Sequence, residues 1–189
     1  MEILSLFRLS ASSYTRRKRK KEEKKKAKET SLTTSDSSKT PFSDLISEDK
    51  FSVNFENSVR AIFLAEGVYN TFTSIKRSNI GKAFQLESDM KAALESLATG
   101  KNLDAYFDDH NLHGDLADCR EFHLLGKTSD IVVIYKVDIL ETRIKVNDKL
   151  QNVFIPAALI AKIDGHNVFT SSKVKRQIKT TINRFFSKT

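Results

Sequence analysis

The chain has a single cysteine, Cys119, and no apolar run of the length that a transmembrane helix needs. One cysteine excludes an intrachain disulfide and favours a reducing compartment, so we expect a cytoplasmic protein. A membrane span takes about 20 consecutive apolar residues, and no segment approaches that length. The first ten residues include a short apolar run, but positive charge follows it instead of preceding it, unlike a secretory signal. These absences predict a soluble protein without a membrane partner.

Acidic charge is scarce at both ends of the chain, and basic charge is in the minority between them. Residues 1–40 carry 12 Lys and Arg against 5 Asp and Glu, and residues 173–189 carry six basic residues and no acidic one. Residues 41–172 carry 14 basic and 19 acidic residues. Binding to phosphate backbones is driven by clustered Lys and Arg. Affinity for nucleic acid would therefore have to come from the two ends or from a local patch.

Composition divides the chain into three predicted parts. Residues 1–45 are poor in apolar side chains and are expected to be a disordered basic leader. Its run RRKRKKEEKKKAK is open to three interpretations: an arm that attracts RNA or lipid, a nuclear-import signal, or a solvated charge run. Residues 50–155 are expected to form the globular domain. Residues 156–189 are expected to form a C-terminal extension with a basic amphipathic helix.

Hydrophobic spacing predicts an α+β fold, in which a helical hairpin packs on a small, mainly antiparallel sheet. The segment FSVNF alternates like a short strand. A first helix is predicted from apolar residues at spacings of three and four: Val59, Ile62, Phe63, Val68, Tyr69, Phe72 and Ile75. A second helix, ending near Gly100, is predicted from Ile80, Phe84, Met90, Leu94 and Leu97.

The second half of the domain has the period of two that is typical of strands. CREFHLL, DIVVIYKV and ILETRIKV are predicted as successive strands, with DIVVIYKV in the centre because it is apolar on both faces. The last strand alternates apolar with charged residues, so one face of the sheet is expected to pack on the helices while the other presents charge. A final helix is predicted over about 172–187, with an apolar stripe of Val174, Ile178, Ile182 and Phe185.

The stretch DDHNLHGDLADCREFH holds three of the four histidines and the only cysteine. One interpretation is a zinc site with His110 and His113 at HxxH spacing, supplemented by Asp109, Cys119 or His123. That spacing joins two imidazoles only on a helix, whereas HNLHGD contains turn-forming Asn and Gly, and no repeated cysteine pair is present. We therefore expect no metal and no other cofactor.

A metal-free active site is the favoured interpretation of the same stretch. On the strand CREFHLL, Glu121 and His123 are two residues apart and share a face. If that face adjoins Glu141, Arg143 and Lys145, one surface collects an imidazole, carboxylates and two cations. Such a set suits RNA cleavage, in which a base takes the 2′-hydroxyl proton, an acid protonates the leaving oxygen, and a cation stabilises the phosphorane.

The run from LESLATG to VVIYKV resembles the YafQ branch of the RelE-type toxins of bacterial toxin–antitoxin systems. The resemblance lies in a turn of the form Tyr-x-x-Asp-His-x-Leu-x-Gly, then Arg-Glu-x-His on a strand, then an acidic residue opening a strand that ends Ile-Tyr-Lys. Here these are Tyr106, Asp109, His110, Leu112, Gly114, Arg120, Glu121, His123, Asp130, Ile134, Tyr135 and Lys136. The resemblance covers about residues 50–155 and implies a RelE-like fold.

The resemblance implies mRNA cleavage without a metal, typically on the ribosome, and a small cognate antitoxin as protein partner. Family active-site positions fall on His110, Glu121, His123 and Asp130. The family's further histidine before a C-terminal Leu-Phe has no counterpart in KVNDKLQNVF, so we predict that Lys149, Lys145 or a folded-back His166 replaces it. We expect Arg120, Arg143 and Lys145 to contact RNA phosphates.

Two rival hypotheses remain. A catalytically inactive relative would bind RNA or a protein through the basic ends, with an affinity that falls steeply with salt. A zinc-stabilised fold would hold one ion and lose thermal stability on treatment with a chelator.

Overall fold

The computed structural model describes residues 42–46, 52–146 and 148–187, so most of the predicted leader lies outside the described residues. The described residues form an α+β fold, as predicted, with three long helices, one short helical turn and a six-stranded mixed sheet. In chain order the elements are α1 (Phe42–Leu45), β1 (Ser52–Val53), β2 (Ala61–Leu64), α2 (Val68–Ser78), α3 (Ala83–Ala98), β3 (His110–Asn111), β4 (Arg120–His123), β5 (Ile131–Val146), β6 (Lys149–Gly165) and α4 (Ser172–Phe186). None of these helices is both long and apolar enough to cross a membrane.

The sheet has the strand order β1-β2-β6-β5-β4-β3. β1 is antiparallel to β2, β4 is antiparallel to both β3 and β5, and β2 is parallel to β6. The prediction that DIVVIYKV is central is confirmed, because β5 has sheet neighbours on both sides. The edge strand β3 is only two residues long, and it carries His110.

The first predicted helix begins later than its apolar spacing suggested. Residues 61–64 are strand β2 and not helix, and α2 starts only at Val68, after Gly67 with a left-handed φ of 81°. The prediction failed because AIFL is apolar on both sheet faces: Ile62 and Leu64 are buried, while the Phe63 ring meets Phe185 of α4 at a centroid distance of 5.0 Å. A short apolar run of this kind fits both the helical period of about 3.6 residues and the strand period of two.

The second predicted helix is confirmed as α3, and Gly100 follows it with a left-handed φ of 74°. Its core stripe differs from the prediction, since Ile80 and Phe84 are 82% and 89% exposed. Ile80 lies in a separate 3₁₀ turn before the helix. Phe84 is two residues before the fully buried Leu86, which places it about 200° round the helix, on the opposite side.

The last two predicted strands are one continuous strand, β5, of 16 residues. The segment between them contains neither Gly nor Pro, and Asp138, which suggested a break, bonds the amide of Ile139 through its side chain. The next strand, β6, was not predicted, and it runs through the expected domain boundary at residue 155. Its residues 157–161 are all buried, as in a strand covered on both faces.

The prediction of a C-terminal helix is confirmed by α4. Ser171 caps it by accepting a hydrogen bond from the amide of Val174, and Ile178 and Ile182 are buried. α4 packs on the sheet face that carries Phe63, whereas α3 packs against β2 from the other side. The expectation that only one sheet face is covered by helices is therefore wrong. Residues 143–153 belong to a separate compact unit and are described by themselves below.

Candidate active site

Pairing of β3 with β4 places His110 directly opposite Glu121. His110 Nε2 lies 3.0 Å from Glu121 Oε1, and His110 Nδ1 lies 2.7 Å from the carbonyl oxygen of Asp108. The imidazole side chain is 46% exposed and the Glu121 side chain is 4% exposed. The ring therefore faces an acceptor at each nitrogen while one face stays open to solvent.

His123 lies two residues beyond Glu121 on the same strand face, as predicted from their spacing. Its side chain is buried, and Nδ1 lies 2.9 Å from the carbonyl oxygen of Ser129. A carbonyl can only accept, so Nδ1 carries the proton and Nε2 presents a lone pair in the neutral ring. The ring is nearly parallel to that of His110, with a centroid distance of 6.3 Å.

His166 completes a row of three imidazoles. It lies in the 3₁₀ turn His166–Thr170 between β6 and α4, and its Nε2 is 3.5 Å from His123 Nε2. Its backbone amide donates to the carbonyl oxygen and to Oδ1 of Asp130, at 3.0 and 3.1 Å. Of the three replacements considered for the family's missing histidine, His166 is the one brought to His123, and Asp130 holds the backbone that carries it.

Gly165 allows the close approach of this turn to Asp130. A Cβ atom at Gly165 would lie 3.0 Å from Asp130 Oδ2 and 3.3 Å from Asn167 Oδ1. Both distances are shorter than ordinary van der Waals contact. A larger residue would therefore push the Asp130 carboxylate away from the amide of His166.

The second carboxylate oxygen of Glu121 has no hydrogen-bond partner among the described residues. Oε1 faces His110, but Oε2 is buried and accepts no hydrogen bond from any described residue. A buried polar oxygen without a partner is costly, and an unmodified structural role does not account for it. Glu121 thus has spare capacity to accept a hydrogen bond or to bind a cation.

A second polar network lies beside the imidazole row and joins β3, β4 and β5. Arg120 donates to both carboxylate oxygens of Asp109, at 3.1 and 2.9 Å, and to Asn111 Oδ1 at 2.6 Å. Tyr135 donates its hydroxyl to Asp109 Oδ1 at 2.8 Å. The hydrogen bonds to Asp109 raise the pKa of Arg120, and burial together with Asp109 raises the pKa of Tyr135. Arg120 is thus held by its neighbours within the chain, and its predicted contact with RNA remains a prediction.

The other predicted cations lie in the unit of residues 143–153. Arg143 donates to Asn152 Oδ1 at 3.2 Å, and the Lys145 ammonium pairs with Asp148 at 2.8 Å. Arg143, Lys145 and Lys149 are all exposed. They are available to a ligand from solvent.

The ligand set suggested by HxxH spacing is not the one that the fold assembles. Among the described residues, two groups bring potential metal-ligating atoms within 4.8 Å of one another: Asp108, His110 and His123, and Glu121, His123 and His166. His113 belongs to neither group and is exposed. Cys119 also belongs to neither, and burial, with the nearby Asp118, raises the pKa of its thiol to about 12. The HxxH pair does not form because the segment is a strand and a turn instead of a helix, as the Asn and Gly in HNLHGD indicated.

A groove of about 690 Å³ lies between the sheet and α4, away from any histidine side chain. Phe63, Leu159 and Ile178 form part of its apolar lining, with Glu141, Lys162 and Arg184 among the polar residues. It contains no imidazole or thiol. The side chains suited to acid–base catalysis lie in the imidazole row and do not line this groove.

The family model for YafQ, the bacterial toxin of type II toxin–antitoxin systems, matches residues 70–150. Residues 70–150 therefore resemble a YafQ-type toxin domain. The match runs from α2 to the start of β6 and includes His110, Glu121, His123 and Asp130, while His166 lies beyond it. The match to a type II toxin–antitoxin family implies a cognate antitoxin as partner. No curated protein and no solved structure matches the chain.

The sequence identified most side chains of the candidate site but not their contacts. His110, Glu121 and His123 are adjacent because two short strands pair, and Asp109 and Tyr135 are the resemblance positions that hold Arg120. Asp108 and Ser129, which orient two imidazoles through their carbonyl oxygens, carry no sequence signal because any residue supplies a carbonyl.

Proposed function

We propose that the chain is a toxin-type endoribonuclease that cleaves mRNA by acid–base catalysis without a metal. The observation that carries this proposal is the row of His110, His123 and His166 beside the buried Glu121. Two of the three imidazoles are exposed, one at each end, and the buried one between them is fixed by Ser129. This places two imidazoles, the side chains most often used as general acid and general base, where a substrate can reach them.

The proposed reaction needs one base, one acid and no other reactant. The 2′-oxygen of a ribose attacks the adjacent phosphorus as the base takes its proton. The bond from phosphorus to the 5′-oxygen breaks, and the acid supplies a proton to that oxygen. The products are a 2′,3′-cyclic phosphate and a 5′-hydroxyl, and solvent returns both catalytic groups to their starting protonation.

The contacts favour different roles for the two exposed imidazoles. His110 faces acceptors at both nitrogens, Glu121 and the Asp108 carbonyl, and this arrangement suits the group that begins protonated and acts as the acid. We assign the base to His166. His123 and Asp130 are positioning residues, since one orients the ring of His166 and the other holds its backbone amide.

Contact with the RNA backbone is assigned to the exposed cations of residues 143–153. Arg143, Lys145 and Lys149 supply positive charge that an otherwise acidic central chain lacks. As the resemblance implies, we propose that the substrate is mRNA on the ribosome. Cleavage of one purified mRNA with and without ribosomes tests this part separately.

The deciding experiment is to induce the full chain in a bacterial host and map new RNA ends bearing a 5′-hydroxyl. The variant His110→Ala/His166→Ala is compared with wild type and with His113→Ala, which removes the one histidine outside the row. Loss of a positioned acid or base costs about 10²- to 10⁴-fold in rate. We expect new ends and growth arrest with wild type and His113→Ala, and neither with the double variant.

Two outcomes would contradict the proposal. If the double variant produces the same ends at the wild-type rate, the imidazole row is not the active site. If wild type arrests growth without producing new ends, the toxin acts by binding and the inactive-relative hypothesis takes its place.

A further inference from the structure

Three side chains in and beside the imidazole row also have the arrangement of a metal-ligand set, and one of them, His166, is the base of the proposed cleavage. We propose that Glu121, His123 and His166 bind one divalent transition-metal ion of the zinc class. A carboxylate oxygen of Glu121 and one nitrogen from each imidazole lie within 4.8 Å of one another. The binding stands on this geometry alone, whereas its effect on cleavage, described below, rests on the proposed function.

The separation of the two imidazoles suits a shared ion better than a direct hydrogen bond. His123 Nε2 and His166 Nε2 are 3.5 Å apart, at the outer limit for a hydrogen bond. Zinc–nitrogen bonds of about 2.0–2.1 Å in a tetrahedral arrangement place two ligating nitrogens about 3.3–3.4 Å apart. The two nitrogens therefore already have nearly the spacing of two corners of a zinc tetrahedron.

The His123 ring is oriented by a partner behind it, and the backbone of His166 is held in place. Nδ1 of His123 donates to the carbonyl of Ser129, which leaves the lone pair on Nε2 directed at His166. A ligating histidine typically donates its other nitrogen to a carbonyl or carboxylate in this way. His166 is held through its backbone by Asp130. The ligands thus need little rearrangement to bind an ion.

Glu121 supplies independent support. Its side chain is 4% exposed, and Oε2 is a buried acceptor with no partner among the described residues, while Oε1 is bonded to His110. A cation beside His123 would satisfy this oxygen and leave the contact with His110 in place. A polar cluster held only by its own hydrogen bonds would not leave the buried Oε2 of Glu121 without a donor among the described residues.

The chemistry of the three ligands identifies the class of ion. Two imidazoles and one carboxylate suit zinc and its neighbours in the first transition series, whereas magnesium prefers an all-oxygen shell and keeps its waters. Three protein ligands leave a fourth position open, and His166 at the edge of the set is exposed.

Metal binding would oppose the proposed cleavage. A neutral imidazole has one basic lone pair, so an ion on Nε2 of His166 takes that lone pair and leaves the proton on Nδ1, and the ring can no longer act as the base. The ion also draws Glu121 and His123 into the same complex. Zinc would therefore inhibit the ribonuclease reversibly, and a chelator would restore it.

Binding is measured on the full chain after removal of metal by dialysis against a chelator. Calorimetric titration with Zn²⁺ and with Mg²⁺, and the visible absorption of a tetrahedral Co²⁺ complex, give stoichiometry and ligand geometry. We expect one Zn²⁺ per chain and no binding of Mg²⁺. His166→Ala and Glu121→Gln should each weaken the zinc dissociation constant by about tenfold or more, and His113→Ala should leave it unchanged.

Absence of a stoichiometric zinc site in wild type, or equal affinity in wild type, His166→Ala and Glu121→Gln, would overturn the inference. His166 is exposed, so its variant should fold, and Glu121→Gln keeps the shape of the buried side chain. The Co²⁺ spectrum provides a second reading, since a tetrahedral band that persists in His166→Ala would place the ion elsewhere.

Cleavage by the metal-free protein separates this inference from the proposed function. Zinc binding without cleavage by the metal-free chain would retain the site and refute the ribonuclease. Cleavage without zinc binding would retain the ribonuclease and refute the metal site. If the metal-free chain cleaves RNA and saturating Zn²⁺ leaves the rate unchanged, the inhibitory consequence is wrong.

Discussion

Replacing Asp109 with alanine should destabilise the fold more than its place at the end of a loop suggests. Its carboxylate accepts two hydrogen bonds from Arg120 and one from Tyr135, at 3.1, 2.9 and 2.8 Å. Tyr135 is 2% exposed, so its hydroxyl has no ready access to water once Asp109 is gone. The variant therefore leaves a buried donor and part of a guanidinium without an acceptor.

The magnitude follows from burial. Removing one partner of a buried ion pair costs about 3–5 kcal/mol. The Asp109 side chain is 16% exposed but that of Arg120 is 38% exposed, so water replaces part of the lost interaction. We expect a loss of about 2–3 kcal/mol in the free energy of unfolding. For a chain of this size that corresponds to a fall in Tm of about 4–12 °C.

Urea unfolding followed by circular dichroism measures this loss, with two reference variants. Tyr135→Phe removes one of the three bonds and should cost about 1 kcal/mol. Asp115→Ala removes an exposed aspartate from a nearby 3₁₀ turn and should change stability by less than about 0.5 kcal/mol. If Asp109→Ala is no less stable than Asp115→Ala, the network does not hold β3 to the sheet, and the reasoning fails.

Three further predictions test burial and charge elsewhere. Burial acts to raise the pKa of Asp118, but the hydrogen bond and charge of Lys136 outweigh it and lower that pKa below its usual 3.8. The ion pair therefore adds stability above pH 3.8 that is lost as the pH falls through the lower folded pKa. Because Asp118 is 48% exposed, Asp118→Asn should cost only about 0.5 kcal/mol at pH 7, and unfolding curves should converge near pH 2. The pKa of about 12 at the buried Cys119, against a usual 9.0, predicts labelling by iodoacetamide at pH 8 about a thousandfold slower in the native than in the urea-unfolded chain; equal rates would contradict it. Phe84→Ser should change the free energy of unfolding by less than about 0.5 kcal/mol, whereas Phe72→Ala, at a 2% exposed position, should cost about 3–5 kcal/mol by the same urea assay.

The sequence alone determined the features that depend on neighbouring residues. The period of four in Val174, Ile178 and Ile182 predicted α4, because a recurring apolar stripe is a local property of a helix. The period of two placed Glu121 and His123 on one face of a strand. The offsets among His110, Glu121 and His123 carried the resemblance that the YafQ family match to residues 70–150 confirms.

Only the tertiary structure decided how distant segments meet. AIFL at residues 61–64 became a strand because β6, nearly a hundred residues later, offers it a parallel partner; no local pattern encodes that partner. The same strand carries the chain back to the imidazole row and places His166 against His123, 43 positions apart in sequence. The tertiary structure also decides the hydrogen bonds: Arg120 donates to Asp109, and Glu121 Oε2 accepts from no donor in the part of the chain that the structure describes. Hydrogen bonds act over about 3 Å, so they depend on folded positions and not on the order of residues.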